Sequence, residues 1–232
     1  MIVIDDPNTF SQHQQGCVAT IGKFDGVHLG HQLILDQLKQ KAEALDLPAL
    51  AIVIEPHPEE FFTSDPGACP ARLSLIDEKL ALIESFGVDF VLVLRFDKQL
   101  SELSAEAYIR DILVDGLGIA AFIVGDDFKF GNKRGGDFAL LKREGAAHGF
   151  EVLESAAYER NGQRISSTYV RDSLQAGDFA LAEQLLGRKY TIKGEVIKGQ
   201  QTGGPIGFPT CNIDPQRFKM PLLGVFACYA RL

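Results

Sequence analysis

The 232-residue, 25.4 kDa chain is 46% hydrophobic and 23% charged, enough apolar material for a real core in a globular protein. A net charge of −8 and a pI near 5.1 exclude the basic face that nucleic-acid binding requires, so an anionic ligand must be held by a local arrangement. The length suits one large domain, or one domain with a small addition.

The opening MIVIDDPNTF carries two early acids and no long apolar run, and no later stretch reaches the ~18 apolar residues of a membrane span. The expected location is cytoplasmic. Cys17, Cys69, Cys211 and Cys228 form no CxxC pair and read as reduced thiols.

Across the first 160 or so residues, short apolar runs alternate with helical patterns. CVATI (17–21), ALAIVI (49–54), DFVLVL (89–94), AAFIV (120–124) and FEVLE (150–154) read as strands, most of them continuous runs, as expected where both faces are covered. Ile34, Leu38, Ala42 and Leu45 recur on one face of a helix near 31–45. A second helix is expected over 77–86 with Gly87 as its stop. Ser104 is placed to cap a third through Tyr108 and Ile112, and Asp137 a fourth ending at Gly149. Repeated strand, helix, strand predicts an α/β, Rossmann-like domain with a parallel sheet.

After Arg164, short helices are expected over 168–176 and 179–186, ended by Gly177 and Gly187. The glycine-punctuated YTIKGEVIKGQQTGGPIGFPTCNI then reads as β-hairpins or part of a barrel, with LLGVFACYARL as a final strand. At about 8–12 residues per strand and turn, this tail holds three or four strands, too few to close a barrel.

Four motifs carry chemistry. In GKFDGVHLGH, a strand runs directly into a helix start, where open α/β sheets bind ligands and a helix N-terminus favours an anion. Gly22, Gly26 and Gly30 let backbone and ligand approach, and His28 and His31 add two donors, making a phosphate cradle. The competing reading is zinc held by His28 and His31, with His57 of EPHP as third ligand and Asp25 or Asp127 as carboxylate options. ISSTYVR (165–171) places Ser167, Thr168 and Arg171 on one helix face, a set suited to a polyphosphate or to an ordinary capped helix. In VGDDFKFGNKRGGD (124–137), Asp126 and Asp127 suit ribose hydroxyls or hydrated Mg²⁺, and Phe128 and Phe130 suit stacking on a planar ligand, unless this is only a surface loop. GDDFKFGNK fails the P-loop spacing. GFPTCN (207–212) offers Thr210 and Asn212 as oxygen ligands for Mg²⁺, or is a simple strand turn.

Taken in order, GKFDGVHLGH, EPHPEEFF, VGDDFKFG, ISSTYVRDSL with LLGR, and GFPTCNI resemble the prokaryotic bifunctional FAD synthetases, riboflavin kinase/FMN adenylyltransferase, over nearly the whole chain. The resemblance implies a nucleotidyltransferase domain over residues 1–187 that transfers AMP from ATP to FMN, giving FAD and pyrophosphate. It implies that residues 188–232 are the incomplete N-terminal part of a riboflavin kinase β-barrel. His28, His31 and Arg171 would be catalytic. Gly22, Phe24, Gly26, Gly30, Asp127, Ser167 and Thr168 would bind ATP, Phe62 and Phe128 would line the flavin site, and Thr210 and Asn212 would serve the kinase Mg²⁺ site. ATP, FMN or riboflavin and Mg²⁺ are the implied ligands. The rival classes are a zinc-dependent hydrolase and a flavin or nucleotide sensor that does no chemistry.

Overall fold

The computed structural model describes residues 1–11, 16–160, 162–199, 207 and 210–231. Six parallel strands form its centre: β1 (Ile2–Ile4), β2 (Cys17–Gly22), β3 (Ala49–Glu55), β4 (Phe90–Arg95), β5 (Ile119–Gly125) and β6 (Glu151–Ser155), in the order β1-β4-β3-β2-β5-β6. All five strands expected within the first 160 residues are present. β1 was not expected, since three apolar residues before an acidic pair are too short to show a period.

The continuous apolar runs are explained by two cores, one on each face of the sheet. Side chains alternate along a strand. Leu50, Ile52, Leu92 and Phe122 therefore enter one core, while Ala51, Val53, Val91 and Ile123 enter the other. The helix Leu29–Leu45 seals the second core with Leu35, Leu38 and Ala42, all fully buried. Each such leucine contributes on the order of 1.5–3 kcal/mol. The helix Phe138–His148 seals the first with Leu140 and Leu141, capped by Asp137 and ended at Gly149 as its sequence predicts.

These two helices follow β2 and β5, adjacent strands, yet leave on opposite faces. The winding reverses there, and the carboxyl ends of β2 and β5 frame a crevice. The helix capped by Ser104 starts at Ala105, and from Tyr108 to Gly116 it takes the wider π-type spacing. The helices Ser167–Gln175 and Phe179–Leu186 pack together through Val170, Leu174, Ala182 and Leu185, over Leu73 and Ile165, and form a wall beside the crevice.

Beyond residue 187 the architecture thins. A two-stranded antiparallel ribbon pairs Glu195–Ile197 with Asn212–Asp214. The glycine-rich run at 200–206, with Phe208 and Pro209, lies outside the described residues. The strand expected in LLGVFACYARL is not formed over 222–231: strands need a neighbour for their hydrogen bonds, and none stands beside this stretch among the described residues. No helix among the described residues is long and apolar enough to cross a membrane.

Candidate active site

The loop leaving β2 is built under strain and tied down from four directions. Phe24 (φ 48°) and Val27 (φ 40°) occupy the left-handed region, which disfavours a β-branched side chain most, and Gly26 (φ 79°) lies between them. Such residues persist only where their surroundings hold them. Here every carbonyl from Asp25 to Val27 accepts from a side chain of another element. The Ser167 hydroxyl donates to the Asp25 carbonyl at 2.9 Å and Arg188 to that of Gly26 at 2.7 Å. Val27 receives Gln32 at 2.9 Å and Arg188 at 3.2 Å.

The Asp25 carboxylate, 1% exposed, accepts from the backbone N–H groups of Leu73 (3.0 Å) and Ser74 (3.1 Å) and from the Arg171 guanidinium. Arg171 Nε also donates to the Ala71 carbonyl at 2.5 Å. Arg171 thus spends part of its fork fastening the loop, which its sequence position did not reveal. Of its five donors, others remain.

His28 caps the helix Leu29–Leu45. Its Nδ1 accepts from the His31 N–H at 3.4 Å, and the two imidazoles stack at 3.7 Å with 19° between planes. Gly30 is required at this spot, because a Cβ there would meet the His28 ring at 3.2 Å. Phe24 lies buried beneath, 5.1 Å from the His31 ring, so any contact it makes with a ligand comes from its backbone. A Cβ at Gly22 would press on that phenyl ring at 3.2 Å.

Burial lowers His28 to about 4, helped by the positive charges of Arg164, Arg171 and Arg188. Burial, then His28, Lys79 and Lys23, holds His31 well below the usual histidine range. Both rings are neutral near pH 7. With Nδ1 accepting, the proton of neutral His28 sits on Nε2. The site therefore combines a neutral N–H donor, first-turn amides with no intrahelical acceptor and the positive charge of Arg164, Arg171 and Arg188 acting on His28, an arrangement suited to phosphate.

Zinc chemistry does not fit this geometry. Two stacked rings cannot aim their lone pairs at one ion, His28 Nδ1 is already engaged, and His57 faces the Lys79 ammonium at 3.4 Å. Among the described residues no three His, Cys, Asp or Glu side chains are grouped to hold a metal, so the reading of His28, His31 and His57 as a zinc trio is corrected.

The remaining expected residues are spread more widely. Ser166, not Ser167, caps its helix, accepting from Tyr169 N–H at 3.2 Å, and Thr168 is exposed. Asp126 and Asp127 sit beyond β5 and share Arg164, at 3.0 and 2.9 Å. Phe128 packs between Phe122 and Phe130, stacked on the latter at 5.3 Å. Phe62, 69% exposed, joins Phe61 and Phe96 in an edge-to-face trio at the surface. Thr210 and Asn212 are exposed, Asn212 on the C-terminal ribbon. Sequence reasoning missed Arg164, Arg188 and Ser74 as site residues. Arg188 had a signal, the LLGR motif after the last helix; Arg164, in the short strand Gln163–Arg164, and Ser74, in a loop, are isolated residues with none.

Comparison with known proteins accords with this geometry. The FAD synthetase family matches residues 10–169, and the riboflavin kinase family matches residues 186–232. The bifunctional riboflavin kinase/FMN adenylyltransferase of Pseudomonas fluorescens is 48% identical over 212 residues, 91% of this chain and 67% of its own length. The protein of the same name from Escherichia coli K12 is 44% identical, covering 92% and 68%, and that of Haemophilus influenzae is 44% identical, covering 94% and 70%. The crystal structure of a macrolide-efflux protein from Streptococcus pneumoniae matches with a TM-score of 0.79 over 96% of this chain and 70% of that one; at 23% identity it shows the fold alone. The chain spans about two thirds of the length of these curated relatives, and it belongs to the bifunctional riboflavin kinase/FMN adenylyltransferase family.

Proposed function

We propose that the crevice at the ends of β2 and β5 transfers the adenylyl group of ATP to the phosphate of FMN. The observation that carries this is the stacked, neutral His28–His31 pair at a helix N-terminus, within reach of the positive charge of Arg164, Arg171 and Arg188. An oxygen of the FMN phosphate bonds to the α-phosphorus as the bond to the α,β-bridging oxygen breaks. Pyrophosphate leaves with the electron pair. The acceptor is already ionised, so the protein's part is in-line positioning and stabilisation of charge.

His28 donates Nε2–H to the α-phosphate as its charge builds, and His31 holds the His28 ring by stacking. Backbone at Gly22, Phe24, Gly26 and Gly30 follows the nucleotide. Ser167, Thr168 and the remaining donors of Arg171 hold the leaving pyrophosphate. Phe62 and Phe128 are the aromatic surfaces offered to the flavin, with Asp127 at the same end of the sheet. Mg²⁺, which prefers one or two carboxylates together with substrate phosphates, suits the adjacent Asp126 and Asp127 and would offset triphosphate charge.

We place the boundary of the transferase module near residue 187. The riboflavin kinase assignment of 188–232, with Thr210 and Asn212 toward a second Mg²⁺, rests on family membership. Incubating the protein with FMN, ATP and Mg²⁺ and separating the flavins by HPLC tests the reading. FAD and pyrophosphate in equal amounts are expected; binding of both substrates without FAD would instead establish a sensor. Riboflavin in place of FMN reports on the kinase half.

A further inference from the structure

Lys79 lies on the helix Ile76–Glu84 with its side chain wholly buried. A lysine in that position is costly unless paired, and an apolar residue of similar volume often serves stability as well or better. Its pairing is modest. Nζ is 3.4 Å from Glu55 Oε2 and 3.4 Å from His57 Nε2.

Those two contacts close a ring. Glu55 also accepts from Arg72, and Arg72 donates to Glu60, with Nε at 2.6 Å. Glu60 accepts from the His57 backbone N–H at 3.1 Å, and the His57 imidazole returns to Lys79. Two cations and two carboxylates thus balance around the EPHPEE turn that leaves β3, next to the β2 loop. The groups facing Lys79 across this space are Glu55 and Asp25, which favour its charge, and Arg72, which opposes it; burial lowers it most. His57 in turn faces Lys79, Arg72, Lys23 and Arg171, and His31 faces Lys79, Lys23 and His28. Lys79 thus touches His57 directly and reaches His31 through its charge.

We infer that Lys79 is a positioning residue for adenylyl transfer, holding His57 as its neutral Nδ1–H tautomer and setting a buried positive charge behind His31. The tautomer follows from donor arithmetic. The Lys79 ammonium has only N–H groups to offer and no lone pair, so at this contact Nε2 accepts and the ring proton sits on Nδ1. A protonated His57 would have no acceptor to offer and would face a cation. The charge lies where a triphosphate brings negative charge to the His31 side of the crevice. The role in turnover rests on the adenylyl-transfer reading; the tautomer does not.

The test is ¹⁵N-histidine NMR between pH 5 and 8 with FAD-forming kinetics on the full chain, Lys79→Met and Lys79→Arg. Wild-type His57 is expected to hold one Nδ1–H signature across that range. In Lys79→Met, which removes the donor to Nε2 while the burial persists, the His57 ring should shift toward its Nε2–H tautomer. In the same variant kcat should fall about 10- to 100-fold, with the acid limb of the rate profile displaced upward and KM for ATP changed far less. Lys79→Arg, which keeps a charge and a donor, should retain the tautomer and recover part of the rate. An Nε2–H tautomer or a titrating His57 in the wild type overturns the proposal, as does a Lys79→Met protein with unchanged kcat and pH profile. If Lys79→Met does not fold, the wild-type spectra and Lys79→Arg decide. A wild-type protein that makes no FAD would remove the adenylyl-transfer reading, and the NMR would still judge the tautomer.

Discussion

The carboxyl end of the parallel sheet and the C-terminal ribbon draw on similar residue types and come out differently. At the sheet end, ionised groups are buried and matched: Asp25 by Arg171 and two amides, Glu55 and Glu60 by Arg72 and Lys79. In the ribbon, Val196, Ile197 and Ile213 are 47–62% exposed, and Phe218, Leu223, Val225 and Tyr229 project almost entirely. The ribbon region is moored to the first module by Arg217 and Lys193 on Glu78 and Asp77, by the Tyr190 hydroxyl on the Leu73 carbonyl and by a small apolar contact in which Leu222 packs on the helix pair and Phe226 meets Phe179 edge-on at 5.1 Å. Apolar residues stabilise only when a second layer covers them, and two strands alone are marginal. A site that must hold atoms still therefore belongs to the first region, where strained backbone is fixed from several elements at once.

The largest effect should come from His28→Ala. Turnover to FAD is expected to fall about 100- to 1000-fold, the scale for one donor to a developing oxyanion, while the lost helix cap lowers the melting temperature by only a few degrees. Steady-state kinetics beside a thermal melt checks it, and full turnover would remove His28 from the chemistry.

Arg171→Met reaches the same region through stability. It leaves Asp25 buried without its cation, which costs about 3–5 kcal/mol and lowers the melting temperature by roughly 10 °C. A melt within a degree or two of wild type would show that the pair does not secure the loop.

Acid should act on the sheet end. With His28 lowered to about 4 and His57 to about 2 in the folded protein, and both near 6.5 when unfolded, the unfolded chain binds more protons below pH 6.5. Stability should be flat above pH 7 and fall as pH drops from 6.5 toward 4, by several degrees in a series of melts. Part of that slope should vanish in His28→Asn.

The smallest effect on activity is expected at the mooring. Glu78→Gln removes the carboxylate shared by Arg217 and the Lys193 N–H, so limited proteolysis within 190–231 should quicken while FAD formation changes less than about twofold. A large loss of FAD formation would mean that the two regions work as one.

The strands and helices of the first module were legible because their periods are local. Of the helix face read as Ile34, Leu38, Ala42 and Leu45, Leu38 and Ala42 are buried, but Leu35 completes the face in the structure and Leu45 is exposed; a run such as ALAIVI has few other homes than a covered strand. His28, Gly30 and His31 were legible too, being packed into one short motif at a strand-to-helix turn. Arg171 was legible as a site residue but not as the partner of Asp25, since 146 positions separate them. Of the ring through Lys79, Glu55, Arg72, Glu60 and His57, the EPHPEE motif holds Glu55, His57 and Glu60, but Arg72 and Lys79 left no sequence pattern, because they join it only across other elements.

By itself, then, the sequence determined where the chain turns, which faces are apolar and which short motif sets two histidines at a helix start, all properties set by neighbours in the chain. Which carboxylate is tied down and which imidazole nitrogen accepts a hydrogen bond were decided by the tertiary structure alone. Those depend on burial and on distances between residues far apart in the chain, and no local pattern records them.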